Sequence, residues 1–158
     1  HHTVVARTNG AGNKFAVIFA SSPGTSDNAT GVIEGCEFQT DNMVTSAVHI
    51  DRGNGIIVRF NTFLGVTQGL RIAGKNSKNT LIYSNHFINC DRGVGVGSVY
   101  VSGVAYPATG TKVFNNTFEN IKLYQIWLDK TVIEVCGNTG DGIPVYNYGG
   151  GSWTENCN

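Results

Sequence analysis

Residues 56–76 read IIVRFNTFLGVTQGLRIAGKN, and two short words are embedded in that stretch. The first is apolar-x-x-Asn-x-Phe, here Val58-Arg59-Phe60-Asn61-Thr62-Phe63. The second is a Gly or polar residue followed by apolar-x-apolar, here Leu70-Arg71-Ile72. The first word returns as Ile82-Tyr83-Ser84-Asn85-His86-Phe87 and as Val113-Phe114-Asn115-Asn116-Thr117-Phe118. An earlier copy, Ile33-Glu34-Gly35-Cys36-Glu37-Phe38, carries Cys in the Asn slot, and Val135-Cys136-Gly137-Asn138 is a degenerate last copy. The second word recurs as Val48-His49-Ile50, Val94-Gly95-Val96, Ile126-Trp127-Leu128 and Ile143-Pro144-Val145. Slots 36, 61, 85, 116 and 138 are 25, 24, 31 and 22 residues apart.

A period in the low twenties, with apolar runs of three to five residues and no helical 3.6 pattern, predicts a stacked solenoid of β-strands. Each turn leaves an apolar face uncovered and buries it on the next, with strands pairing in parallel about 4.8 Å apart. The leucine-rich word L-x-x-L-x-L-x-x-N is absent. Asn is expected in the slot because it tolerates a left-handed bend and can stack with its equivalents as a hydrogen-bonded ladder. The Phe two residues later is expected to point inward as a second ladder. Residues 4–29, with Phe15-Ala16-Val17-Ile18-Phe19, read as a further, less regular turn, giving about six in all.

Composition agrees with one such domain. The 158 residues suffice for a core, and 21 glycines with only 14% charged residues suit tight turns between short strands better than solvated helices. Eleven basic residues balance eleven acidic ones, so no general field draws in nucleic acid or an anionic membrane. No stretch approaches the roughly 20 apolar residues of a membrane span, and no basic-then-apolar leader opens the sequence. Residues 1–3 read as a candidate tag remnant, 4–146 as the solenoid and 147–158 as a Gly-rich tail. Cys36, Cys90, Cys136 and Cys157 form no C-x-x-C. Two readings stay open: a Cys136–Cys157 disulfide that pins the tail, or four packed free thiols.

With its "GLRI…LIYSNHF" and "GVGV…KVFNNTF", the chain resembles the pectate-lyase-like family of right-handed, single-stranded parallel β-helices over about residues 30–146. The resemblance implies an all-β fold. It implies no single function, because polysaccharide lyases, polygalacturonases, epimerases, periplasmic accessory proteins and phage tailspikes share that fold.

In a solenoid, outward residues of equivalent strands form rows, and a site is assembled across turns. One expected row is His49, Arg71, Gly95, Trp127 and Pro144; the next is Asp51, Ala73, Gly97, Asp129 and Tyr146. The preceding corner would contribute Ser46, Gln68, Arg92, Tyr124 and Asp141. Pectin-cleaving members of the family use acidic clusters with an Arg or Lys base, which makes Arg71, Asp91, Arg92, Asp129 and His49 the catalytic candidates. Glycoside hydrolysis wants two carboxylates about 5–9.5 Å apart. Asp51 and Asp129 fall about 14 Å apart by turn spacing, and Asp91 and Asp141 about 10 Å. No acidic cluster suits calcium, so neither metal nor cofactor is expected.

An outward Trp is costly to leave in water unused, and aromatic side chains favour sugars and protein interfaces. Trp127 and Tyr124 are therefore candidate ligand-binding residues. Tyr100 and Tyr106 join them on an inserted surface loop, residues 97–111, inside the longest interval. A second outward row, Glu34, Arg59, Tyr83, Phe114 and Glu134, is a candidate subunit contact. Asn28-Ala29-Thr30 and Asn115-Asn116-Thr117 match the glycosylation sequon. The leading expectation is a β-helical attachment module of a phage or viral surface spike, a homotrimer that binds host polysaccharide outside the cell or on the virion. The alternative is a polysaccharide lyase or glycoside hydrolase, and the third an extracellular accessory protein.

Overall fold

The computed structural model describes residues 2–5, 15–19, 30–39 and 46–156. Among these every regular element is a strand, and the chain is an all-β, right-handed, single-stranded parallel β-helix. Three sheets run along it. The lead sheet stacks Val32–Glu34, Ile57–Arg59, Leu81–Tyr83, Thr111–Phe114, Val132–Cys136 and Ser152–Thr154. The Phe sheet stacks His2–Val5, Cys36–Gln39, Thr62–Leu64, His86–Ile88, Thr117–Glu119 and Thr139–Gly140. The long sheet stacks Phe15–Phe19, Ser46–Ile50, Gln68–Ala73, Arg92–Val101, Tyr124–Leu128 and Ile143–Asn147. The Gly-rich tail thus supplies the last strand of the lead sheet.

The first word builds the corner between the lead and Phe sheets. Asn61, Asn85 and Asn116 are buried there. The Cys36 amide donates to Asn61 Oδ1 at 3.0 Å, the Asn61 amide to Asn85 Oδ1 at 3.1 Å, and the Asn85 amide to Asn116 Oδ1 at 3.0 Å. The Asn116 amide closes the series on Asn138 Oδ1 at 3.0 Å. Each side-chain amide also donates to a backbone carbonyl: Asn61 to Ile33, Asn85 to Val58, Asn116 to Ile82 and Asn138 to Val113. Cys36 joins only through its backbone N–H.

The left-handed residue is not the ladder Asn. It is the residue before it: Gly35, Phe60, Ser84, Asn115 and Gly137, with φ between 53° and 63°. The bend and the ladder are therefore separate tasks on adjacent positions, with Asn selected for its amide rather than for its backbone.

The inward ladder forms as the sequence predicts. Phe38, Phe63, Phe87 and Phe118 stack face to face at centroid separations of 4.9, 4.7 and 4.9 Å. Each ring needs room against the long sheet, which explains the Gly that opens the second word. A Cβ on Gly69 would overlap the Phe87 ring, and one on Gly93 would overlap the Phe118 ring. Aliphatic side chains, among them Val48, Ile50, Leu70, Ile72, Val94, Val96, Ile126 and Leu128, fill the rest of the interior.

Residues 97–111 are more ordered than a loop. The strand Arg92–Val101 runs past the sheet and folds back on Val104–Pro107 as an antiparallel hairpin. Its tip, Ser102 and Gly103, has positive φ at both residues (50° and 79°), the backbone a two-residue hairpin turn requires.

Cys136 is disulfide-bonded, whereas Cys36 and Cys90 are free thiols. Burial pushes the Cys90 thiol up to about 11, so it packs as a small apolar group. Cys157, His1 and the sequon residues Asn28 and Ala29 lie outside the described residues.

Candidate functional site

The outer face of the long sheet carries the candidate residues. His49, Arg71, Gly95 and Trp127 lie opposite one another in register, as the row predicts. The last rung differs. Trp127 pairs with Tyr146 rather than Pro144, and Tyr124 with Ile143 rather than across from Asp141. Gly140 and Gly142, both at positive φ (124° and 96°), turn a tight corner: Ile143 follows Gly140 by three residues, where their partners Tyr124 and Phe118 are six apart. A two-residue slip keeps the inward and outward faces intact, so it changes neighbours without exposing the core.

The slip assembles an aromatic cluster. The Tyr124 and Tyr146 rings stack at 4.1 Å, 7° from parallel. Trp127 lies against bare backbone, because a Cβ on either Gly95 or Gly97 would sit 3.3 Å from its indole. Tyr148, 70% exposed, tilts toward the indole with centroids 6.0 Å apart. Tyr146, expected in the row of Asp129, instead stands beside Trp127, and the alternation of "VYNY" sends Tyr148, which the sequence reading did not name, to the same face.

The hairpin sorts the other two tyrosines. Tyr100 faces this cluster, and its hydroxyl donates to Asp129 Oδ1 and Oδ2 at 3.0 and 3.1 Å. Burial, followed by the bond to Asp129, raises its pKa, with Tyr148 adding a smaller push in the same direction. Tyr106 points to the opposite side of the hairpin, where Lys75 Nζ stands 4.9 Å from its ring centroid. Tyr100 and Tyr106 are thus divided between two surfaces.

The catalytic candidates are dispersed. Asp129 is buried under Tyr100 and anchors the hairpin. Asp91 pairs with Lys122 at 2.8 Å, and that bond raises the lysine's pKa. Arg92 stands in register between Gln68 and Tyr124, with its Nε buried. Asp141 Oδ2 meets the Asn120 amide at 3.5 Å. His49 and Arg71 do come together; burial, then the Arg71 guanidinium, lowers the histidine's pKa against the opposing pull of Asp51. Among the described residues no three His, Cys, Asp or Glu side chains converge as a metal site would require.

The outer face of the lead sheet is different in kind. Glu34, Arg59, Tyr83 and Phe114 align as predicted, but Phe114 faces Cys136; Glu134 sits two residues back, opposite Lys112, and pairs with it at 2.7 Å. Arg59 holds Glu34 at 2.7 Å and donates to the Tyr83 hydroxyl at 3.0 Å. Tyr83 stacks on Phe114 at 4.8 Å, and Phe60 meets Tyr83 edge-on at 6.1 Å. Phe60 is 58% exposed despite its left-handed backbone.

No protein-family model, no curated protein and no solved structure matches the chain. The fold stands on its own strand pairing.

Proposed function

We propose that the chain is a β-helical attachment module that binds a surface polysaccharide, of the kind carried by phage and viral spikes. The observation that carries this reading is the aromatic platform. Trp127 is bedded on Gly95 and Gly97, flanked by Tyr148 and continued by the Tyr124–Tyr146 stack. Sugar rings offer apolar C–H faces with polar edges, and amphipathic aromatic surfaces complement both. The platform spans two rungs, which suits adjacent units of an extended chain. In the same reading the outer face of the lead sheet, with Phe60, Tyr83 and Phe114, is the contact of a homotrimer at the virion or cell exterior. Retardation in gels containing different bacterial surface polysaccharides tests the binding, and light scattering tests the assembly. Retardation by at least one polysaccharide and a tripled mass are expected; a monomer that no polysaccharide retards would overturn both halves.

A second reading, uronate β-elimination, is favoured by one pair. His49 beside Arg71 offers a ring kept neutral next to a guanidinium. It predicts an unsaturated, ultraviolet-absorbing product from a polyuronate, lost in Arg71→Gln.

A further inference from the structure

Asp129 is a buried carboxylate with little to balance its charge. The residue is 6% exposed, and its two oxygens share one neutral donor, the Tyr100 hydroxyl, at 3.0 and 3.1 Å. Among the described residues no Lys, Arg or His side chain forms an ion pair with it. A Cβ on Gly149 would collide with Asp129 Oδ1, so only bare backbone passes that oxygen. A buried charge met by a single hydroxyl is destabilising, and a cation brought alongside offsets it.

The groups around this carboxylate are aromatic. A Cβ on Gly97 would lie 3.3 Å from the six-membered ring of Trp127 and 3.4 Å from Asp129 Cβ, so indole and carboxylate stem meet over the same bare stretch of strand. Tyr148 stands next to the indole, with centroids 6.0 Å apart and planes tilted by 36°, a wedge rather than a closed stack. It is also near enough to Tyr100 to add to the rise in that group's pKa, behind burial and Asp129. The Tyr100 ring already serves one cation. The Lys130 ammonium stands 5.7 Å from its centroid, on an exposed side chain that a ligand can displace.

We propose that Trp127, Tyr148 and Tyr100 form an aromatic cage, with Asp129 at its base, that binds a quaternary ammonium group such as a choline head. The methyl groups rest on the ring faces, and the diffuse positive charge balances the carboxylate. A primary ammonium suits the site less well. It has three N–H groups to satisfy, whereas both oxygens of Asp129 are engaged by Tyr100. The cage shares Trp127 and Tyr148 with the polysaccharide platform but does not rest on it, since free choline is its probe.

The test is a titration of isotope-labelled protein, followed by amide and indole NMR. The probes are choline, ethanolamine, and the uncharged choline analogue with tert-butyl in place of trimethylammonium. Choline is expected to give saturable shifts at the Trp127 indole and at residues 97–100, 129 and 148–149. The other two should bind about tenfold more weakly or worse. Tyr148→Ala, at a position 70% exposed, should weaken choline about fivefold. Asp129→Asn keeps an acceptor for Tyr100 and should weaken it about tenfold. Glu119→Gln removes an equal charge from the Phe sheet and should leave the affinity unchanged. Lys130→Gln removes a like charge and should bind choline at least as tightly. Equal binding of the uncharged analogue or of ethanolamine would overturn the proposal, as would an unaltered Tyr148→Ala or Asp129→Asn, or a loss in Lys130→Gln. So would the absence of saturable shifts, or shifts centred elsewhere. Polysaccharide retardation that survives such a result would leave the platform standing by itself.

Discussion

The Asn61–Asn85–Asn116–Asn138 ladder and the row His49–Arg71–Gly95–Trp127–Tyr146 run side by side along one solenoid. The first repeats its residue at every rung, and the second changes it each time. The contrast follows from what each position must satisfy. A ladder Asn gives both its backbone and its side-chain N–H to the Oδ1 of the following rung, so an apolar residue there would strand donors in the core. The rung before it need offer only a backbone N–H, as Cys36 does. An outward side chain answers to solvent and ligand, so neighbouring turns are free to differ. Repetition therefore marks the scaffold, and breaks in repetition mark the surfaces on which function can be built.

Substitutions can break or sharpen this contrast, beginning with the deepest layer. Phe87→Ala opens the stack between Phe63 and Phe118 and should cost about 3–5 kcal/mol, read from urea denaturation. Asn85→Ala removes the acceptor of the Asn61 amide and the donor to the Val58 carbonyl. Stranding buried partners of this sort should cost roughly 2–4 kcal/mol in the same assay. A loss below about 1 kcal/mol for either would contradict the scaffold role.

Phe60→Gly probes the lead face and should act in the opposite direction. A left-handed non-Gly residue is strained by about 1–2 kcal/mol, and glycine's extra chain entropy returns about 0.5–1 of that. The variant should therefore gain a few tenths to about 1 kcal/mol, and if the proposed trimer forms through this face, light scattering should show it shifting toward monomer. A destabilised monomer would show that Phe60 serves the fold and not an interface.

The smallest effect concerns pH. His49 has a pKa below its ordinary 6.5, chiefly through burial and then through Arg71. On acidification the unfolded chain takes up this proton first. The stability contributed by the neutral ring is whole above pH 6.5 and declines as pH falls from there toward the folded-state value. The melting midpoint should drop over that interval, and His49→Gln should flatten this part of the profile.

How much was legible follows the same inside–outside division. The word Ile82–Phe87 contains its own packing instructions, so the rungs, the Phe stack and the amide ladder could all be read from spacing. Asn61, however, fits both a left-handed bend and a ladder amide. Only the backbone shows that Phe60 takes the bend. The register of the last rung was hidden because its corner has a length of its own, three residues from Gly140 to Ile143 against six from Phe118 to Tyr124, and a two-residue slip leaves the alternation of faces undisturbed. That slip put Tyr146 beside Trp127 and brought in Tyr148. The hairpin left a readable signal, Val99-Tyr100-Val101 alternating into Ser102-Gly103, a pairing suited to a two-residue turn. Its consequence, Tyr100 and Tyr106 on opposite sides, follows from the same alternation. The meeting of Asp129 with Tyr100 does not, because it depends on where the hairpin lies in space.

The measurement that bears most directly on the account is Trp127→Ala, scored for both polysaccharide retardation and urea stability. The account predicts at least a tenfold loss of binding, the usual consequence of removing an aromatic anchor. It also predicts a stability change well below that of Phe87→Ala. Undiminished retardation, or a collapse of stability matching the Phe87 variant, would place Trp127 in the scaffold and contradict the division between the two rows.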